Sequence, residues 1–283
     1  MAESSSSTTQ IVFLSDPHLE FHTHTPKFRH LLKQTLEHAK FQGKDTVGIV
    51  AGDVCPAISS KNKWLLDVMS ALLKVVICVP GNHEYYVSPP VYISDYQLLY
   101  PDNSPHTMGD CMVRFTKLCA SYKNVHILNN SSVMIGGVNY VGSTLWSHTP
   151  TKLHADIVER VWDFGKIWKT STDNVTPDDC NQLHTHSVDY LDEQINGEKV
   201  TTPTVVITHF NPLPATDGDS KDIVDTHFYH SPPSVKQRLI KESSPVKLWV
   251  YGHTHIPDDQ TVNGIRMVNN PFIKSGEFVA LRL

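Results

Sequence analysis

Apolar residues in this chain gather into short unbroken runs separated by longer segments of helical spacing. Gln10 to Ser15 (QIVFLS), Thr46 to Ala51 (TVGIVA) and Val75 to Val79 (VVICV) are too short for helices and rich in β-branched residues, so they predict buried strands. Between them, Phe28 to Phe41 sets Phe28, Leu31, Leu32, Leu36 and Ala39 along one helical face, and Trp64 to Leu73 is also helical in pattern. Three strand–helix units in the first ninety residues predict a layered α/β domain with a mostly parallel sheet.

The rhythm then changes. Residues 86 to 110, rich in Pro, Tyr and Asp, predict a long loop or insertion, and Met112 to Tyr122 a helix. Val125 to Trp146 reads as three strands (VHIL, SVMI and VNYVGSTLW), 151 to 197 as a polar helical region, and Thr204 to Thr208 (TVVIT) as another strand. Asn211 to Pro233 is heavy in Pro, Asp and His and too long for an ordinary connection; this 211–233 segment is a candidate lid. A strand LWVYG and two more near Gly264 to Val268 and Phe278 to Leu281 follow. The polar stretch 1–9 is expected to be a disordered leader, leaving 10–283 as one domain.

Composition removes several function classes. The formal net charge is -5 and the basic residues are scattered, so stable nucleic-acid binding and a polybasic membrane patch are not expected, and a DNA nuclease is disfavoured. The five cysteines lack CxxC spacing, which argues against a disulfide framework and a thiolate zinc site and for reduced thiols in a cytoplasmic protein. MAESSSSTTQ carries no apolar signal core, and no apolar stretch approaches the roughly 18 residues of a membrane span. Protein partners are not readable from the pattern.

The chemistry sits where the apolar runs stop. They end on Asp16 and His18, Asp53, Asn82 and His83, His209, and, in VYGHTHIP, His253 and His255. Residues two apart in an extended chain face the same side, so His253 and His255 would project together. Singly, each has a plainer explanation as a cap, a turn residue or a core histidine, and the chain has 17 histidines. Together, five segments converging at strand ends describe a site. Two carboxylates, one amide oxygen and four imidazoles exceed what one ion with an open position can use. The set therefore suits two divalent or mixed-valence transition-metal ions sharing a carboxylate. Nitrogen and oxygen donors without thiolate favour Mn, Fe or Zn over Ca.

Asp16-x-His18, Gly52-Asp53, Gly81-Asn82-His83-Glu84, His209 and Gly252-His253-x-His255 resemble, in order, the five motifs of the calcineurin-like metallophosphoesterase superfamily, and SDPHLEF, GNHEYY and GSTLW resemble its small single-domain members. The resemblance implies a four-layer α/β/β/α sandwich of two mixed sheets flanked by helices. It also implies that Asp16, His18 and His255 bind one metal, Asn82, His209 and His253 the other, and Asp53 both. Two departures narrow the activity. Val54-Cys55-Pro56 follows Gly52-Asp53 where the superfamily's protein phosphatases carry Asp-Arg-Gly, and Pro56 stands where purple acid phosphatases carry a Tyr ligand.

The expected function is hydrolysis of a small phosphodiester or nucleotide-like phosphomonoester by a hydroxide that the metals bridge and activate. His83 is expected to protonate the leaving group. Tyr85, Tyr86, Trp146 and His148 are candidates for the substrate pocket. Asp217, Asp219, Asp222 and Asp225 would give the lid a negative charge that favours diesters. A protein Ser/Thr phosphatase or a non-catalytic interaction module are the alternatives; the complete ligand set speaks for an enzyme.

Overall fold

The computed structural model describes residues 9–24, 26–87, 107–197, 201–216 and 218–283. The expected leader apart from Thr9, most of the 86–110 segment and Asp217 therefore lie outside the described residues. In chain order the strands are β1 (Gln10–Leu14), β2 (Thr46–Ala51), β3 (Val75–Val79), β4 (Val125–Ile127), β5 (Ser131–Ile135), β6 (Val138–Ser143), β7 (Thr204–Thr208), β8 (Val246–Tyr251), β9 (Asp258–Val262), β10 (Ile265–Asn269) and β11 (Val279–Arg282). One sheet has the order β11-β1-β2-β3-β4 and the other β5-β6-β7-β8-β10-β9. β1 to β4 are parallel, as are β6, β7, β8 and β10, with antiparallel strands confined to the edges.

Alternate positions along each central strand separate two packing layers. Ile11, Phe13, Ile49 and Ile77 of the first sheet meet Tyr140, Val205, Ile207 and Val250 of the second. The intervening Val12, Leu14, Val50 and Val76, with Val141, Val206 and Trp249, face outward into a second core shared with the helices. Helix Phe28–Ala39 contributes Phe28, Leu32 and Leu36, helix Asn62–Leu72 contributes Leu65, Leu66 and Met69, and helix Pro177–Asn196 contributes Val188, Leu191 and Ile195. Burial on both faces is why these strands read as continuous apolar runs rather than as alternation. The result is two mixed sheets packed together and flanked by helices. Among the described residues no helix is long and apolar enough to cross a membrane. All five cysteines are free and buried.

Three elements depart from the sequence expectation. The helix expected from Met112 begins at Met108, because Thr107 and Asp110 form a reciprocal capping box ahead of the apolar stripe. The polar 151–197 region is interrupted: helix His154–Arg160, a short turn of helix Asp163–Lys166, then helix Pro177–Asn196. Strand β9 was not expected, since DDQTV is a polar, largely exposed edge strand. Its turn was legible, as Asn263 and Gly264 both take positive φ (50 and 79) between β9 and β10, the conformation a two-residue Asn-Gly hairpin requires.

Candidate metal centre

The parallel strands of both sheets deliver their C-terminal ends to one place. Asp16 and His18 follow β1, Asp53 follows β2, Asn82 and His83 follow β3, His209 follows β7, and His253 and His255 follow β8. Backbone bonds tie these turns together: Asp16 N donates to Gly52 O (3.0 Å), His18 N to Asp53 O (2.9 Å) and Gly252 N to His209 O (2.9 Å). The His209 ring spans the two sheets, its Nδ1 donating to Ala51 O at 2.9 Å.

Five of the seven expected ligands, Asp16, His18, Asp53, His253 and His255, have left-handed backbone (φ 50, 43, 55, 69 and 52). Asp and His tolerate that region better than most residues, but each such position still costs energy that the surroundings must supply. Close approach also explains two glycines. A Cβ on Gly52, itself at φ 85, would lie 2.4 Å from His209 Nδ1, and one on Gly81 would lie 2.1 Å from Asp53 Oδ1.

The expected ligands form two overlapping groups, and His18 also belongs to a third with Glu20 and His83. In one, the ligand atoms of Asp16, His18, Asp53 and His255 lie within 4.8 Å of one another; in the other, those of Asp53, His209 and His253 do. Asp53 belongs to both, and its Oδ2 is 3.6 Å from His18 Nε2 and 3.3 Å from His209 Nε2. Asn82 Oδ1 is 3.0 Å from His209 Nε2. The donor chemistry fits bound cations. His18 Nε2 and His255 Nε2 face each other at 2.9 Å, and among the described residues His253 Nε2 is buried without a hydrogen-bond partner. His209 spends its Nδ1 proton on a carbonyl, so its Nε2 lone pair faces two oxygens, an arrangement that needs a positive centre between them. Without an ion a proton takes that place: burial pulls His209 down, but the Asp53 charge outweighs it and holds the imidazole at about 9. Burial and then the neighbouring His209 hold His253 well below its ordinary value, leaving a lone pair for a metal.

Three acidic residues that the sequence did not single out organise the site. Glu84 accepts from Gly81 N (2.5 Å), Val54 N (2.7 Å) and Asp53 N (2.9 Å), pinning the β2 and β3 turns together. Burial, then the Asp53 charge, push its carboxyl up to about 7. Glu20 Oε1 is 2.6 Å from His83 Nδ1 and 3.1 Å from His18 Nδ1. Buried Asp163 accepts from Asn82 Nδ2 (2.9 Å) and Tyr86 OH (2.6 Å) through one oxygen. A carboxylate acceptor fixes which end of the Asn82 amide faces it, so Asn82 Oδ1 is turned toward His209 and the metal groups. Glu20 and Glu84 sit within two residues of motif histidines, a usable signal; Asp163 is 81 residues from Asn82 and carries none.

His83 borders a cavity of about 320 Å3 together with Asp53, His253 and Tyr86. Its ring stacks on Tyr86 with centroids 4.2 Å apart. Burial lowers its basicity, but Asp53 and Glu20 outweigh that and hold it at about 9. Of the four pocket candidates, only Tyr86 borders this cavity. Tyr85 and Trp146 are buried against each other (centroids 5.1 Å), and His148 packs against His184 (5.4 Å). Helix Ile223–Tyr229 of the 211–233 segment reaches the cavity through Val224, Asp225, Phe228 and Tyr229. Part of the acidic charge expected there is paired locally. Arg160 Nη1 donates to Asp222 Oδ1 at 2.9 Å and Nη2 lies 3.8 Å from Asp225, while Asp219 accepts from Thr216. Arg160 thus offsets part of the charge that Asp222 and Asp225 carry.

The profile of the calcineurin-like phosphoesterase family matches residues 9–257, and the chain belongs to that family. It is similar to an uncharacterized protein of Acanthamoeba polyphaga mimivirus, 26% identical over 233 residues, covering 77% of this chain and 75% of that protein. Among solved structures, a phosphopantetheinyl hydrolase from Mycobacterium tuberculosis aligns with a TM-score of 0.64 and 17% identity over 96% of this chain and 95% of that one, a likeness of fold. The protein is a metal-dependent phosphoric ester hydrolase.

Proposed function

We propose that the chain hydrolyses a small phosphate ester at a centre of two transition-metal ions, with Asp16, His18 and His255 holding one ion, Asn82, His209 and His253 the other, and Asp53 shared. The observation that carries the reading is the pair of ligand groups meeting at Asp53. Two such ions, when bound, lower the pKa of a water between them and offset phosphoryl charge.

The rest is done by the chain itself. His83 reaches the same cavity from the next turn, with Glu20 accepting from its Nδ1 and its Nε2 3.8 Å from Asp53 Oδ2. That leaves Nε2–H as the proton donor to the departing alkoxide, with Glu20 on Nδ1 supporting the protonated ring. Asp163 holds Asn82 by its amide nitrogen, so the oxygen presents to the metals. The 223–229 helix forms one wall of the cavity, with Arg160 paired to Asp222 at its start.

The test pairs a variant with two leaving groups. His83→Ala should lower kcat by about 10²–10⁴ on an alkyl phosphate with metal content intact, and much less on p-nitrophenyl phosphate, whose leaving group needs no proton. Equal losses on both substrates would show that His83 only positions Asn82.

A further inference from the structure

We propose that the cavity beside the metal centre seats the planar, aromatic part of a phosphate ester, stacked against Trp162 and Phe21; this rests on the phosphoesterase reading and names the class of its substrate. Trp162 and Phe21 are 61% and 59% exposed, and both border the cavity that holds His83 and Asp53. Large ring faces left in water beside a reaction centre are surface kept free for a ligand.

The rings form a connected wall. The Phe21 centroid is 6.4 Å from that of His83, and His83 stacks on Tyr86. Lys166 Nζ bridges onward, 5.3 Å from the Tyr86 ring and 4.3 Å from that of Trp162. The cation braces Trp162 in place, so little side-chain freedom remains to be lost on binding. Phe228 and Tyr229 border the cavity from the 223–229 helix, packed on His253 at 4.8 and 5.0 Å.

Charge points the same way. Among the described residues bordering the cavity, Arg160 is the only Arg or Lys, and Asp222 and Asp225 already hold it. Beyond Arg160, the cation on this wall is Lys166, which lies over the Tyr86 and Trp162 rings, so few positive charges are at hand for further phosphates and the site suits one reacting phosphate on a ring-bearing alcohol rather than a polyphosphate. Each stacked pair contributes a factor of roughly 3–10 in affinity.

The test is calorimetric titration of the full chain loaded with Mn(II), using three non-hydrolysable ligands: methylphosphonate, 2-naphthylmethylphosphonate and its decahydro analogue. The naphthyl ligand should bind roughly 10-fold or more tighter than methylphosphonate, bind tighter than the saturated analogue, and quench Trp fluorescence. In Trp162→Ala and Phe21→Ala the naphthyl-to-methyl affinity ratio should fall by roughly 3–10-fold each, with metal content measured in both variants as the control for folding. Equal affinity of the naphthyl and methyl ligands, a preference for the saturated analogue, or an unchanged ratio in both variants overturns the proposal while leaving the phosphoesterase reading intact. If no phosphonate binds the loaded wild type and no ester in a panel is turned over, that reading fails and the proposal with it.

Discussion

Asp163→Ala isolates the contribution of a residue that is no expected ligand. Asp163 is 1% exposed and accepts two hydrogen bonds, at 2.9 Å from Asn82 Nδ2 and 2.6 Å from Tyr86 OH. Hydrogen bonds to a charged acceptor contribute about 1.5–3 kcal/mol each, so losing both, with two donors left buried, should cost about 3 kcal/mol or more. At about 2–4 °C per kcal/mol for a chain of this size, Tm should fall by about 6–12 °C. The amide of Asn82, left with only the longer bond from its nitrogen to Tyr86 OH (3.4 Å), is freer to turn, and loss of such an orienting partner lowers metal affinity by about 10–100-fold. The assay is metal titration of the chelator-stripped variant, followed by elemental analysis and a thermal melt. The metal group centred on His209 should weaken while that of Asp16, His18 and His255 holds. Asp163→Asn, which keeps an acceptor oxygen, should recover most of the affinity. If Asp163→Ala loses stability but binds both ions as tightly as the wild type, the orienting role is wrong and Asp163 only fills the core.

Other perturbations probe neighbouring parts of the argument. Asp53→Asn should reduce the metal content of protein purified without chelators from about two ions per chain, weakening both groups because the shared charge is lost; a full complement in this variant would refute the sharing. Gly81→Ala places a Cβ 2.1 Å from Asp53 Oδ1 and should cost about 1–3 kcal/mol in urea unfolding and depress metal binding, whereas a neutral result would mean the β3 turn yields without moving Asp53. His184 is buried with its Nδ1 donating to Leu145 O or Trp146 O, at 3.0 and 2.9 Å, and burial holds it below its ordinary 6.5. Because the unfolded chain takes up this proton first, its contribution is present above pH 6.5 and is lost as pH falls toward the depressed folded value. His184→Gln should flatten that part of the Tm–pH curve, and an unchanged acid slope would assign it to other groups.

Much of this molecule is written in short-range pattern. The runs around Ile11, Val47 and Val75 announce strands because each is buried on both faces. Their ends announce a site because Asp, His and Asn are poor residues with which to close an apolar strand unless something holds them. The need for Gly52 and Gly81, by contrast, is tertiary, since a side chain there would strike His209 or Asp53 from another strand. The hairpin between β9 and β10 was signalled by Asn263-Gly264 but hidden by a polar edge strand, whose residues face water and so carry no periodicity.

What the sequence alone determined, then, is most of the buried strands and the helices between the first of them, the ligand types at the strand ends and the family they belong to, because hydrophobic period and residue chemistry are local properties of the chain. Tertiary structure decided the rest. Asp163 meets Asn82 across 81 residues, and Arg160 meets Asp222 across 62, so neither the held amide nor that ion pair could be read from spacing. Trp146 and Tyr85 looked like pocket residues and became packing, while Trp162 and Phe21 looked unremarkable and border the cavity. Which face of an aromatic residue stays in water depends on what the rest of the fold lays beside it, and that is fixed only when the two sheets close and bring distant segments together at one edge.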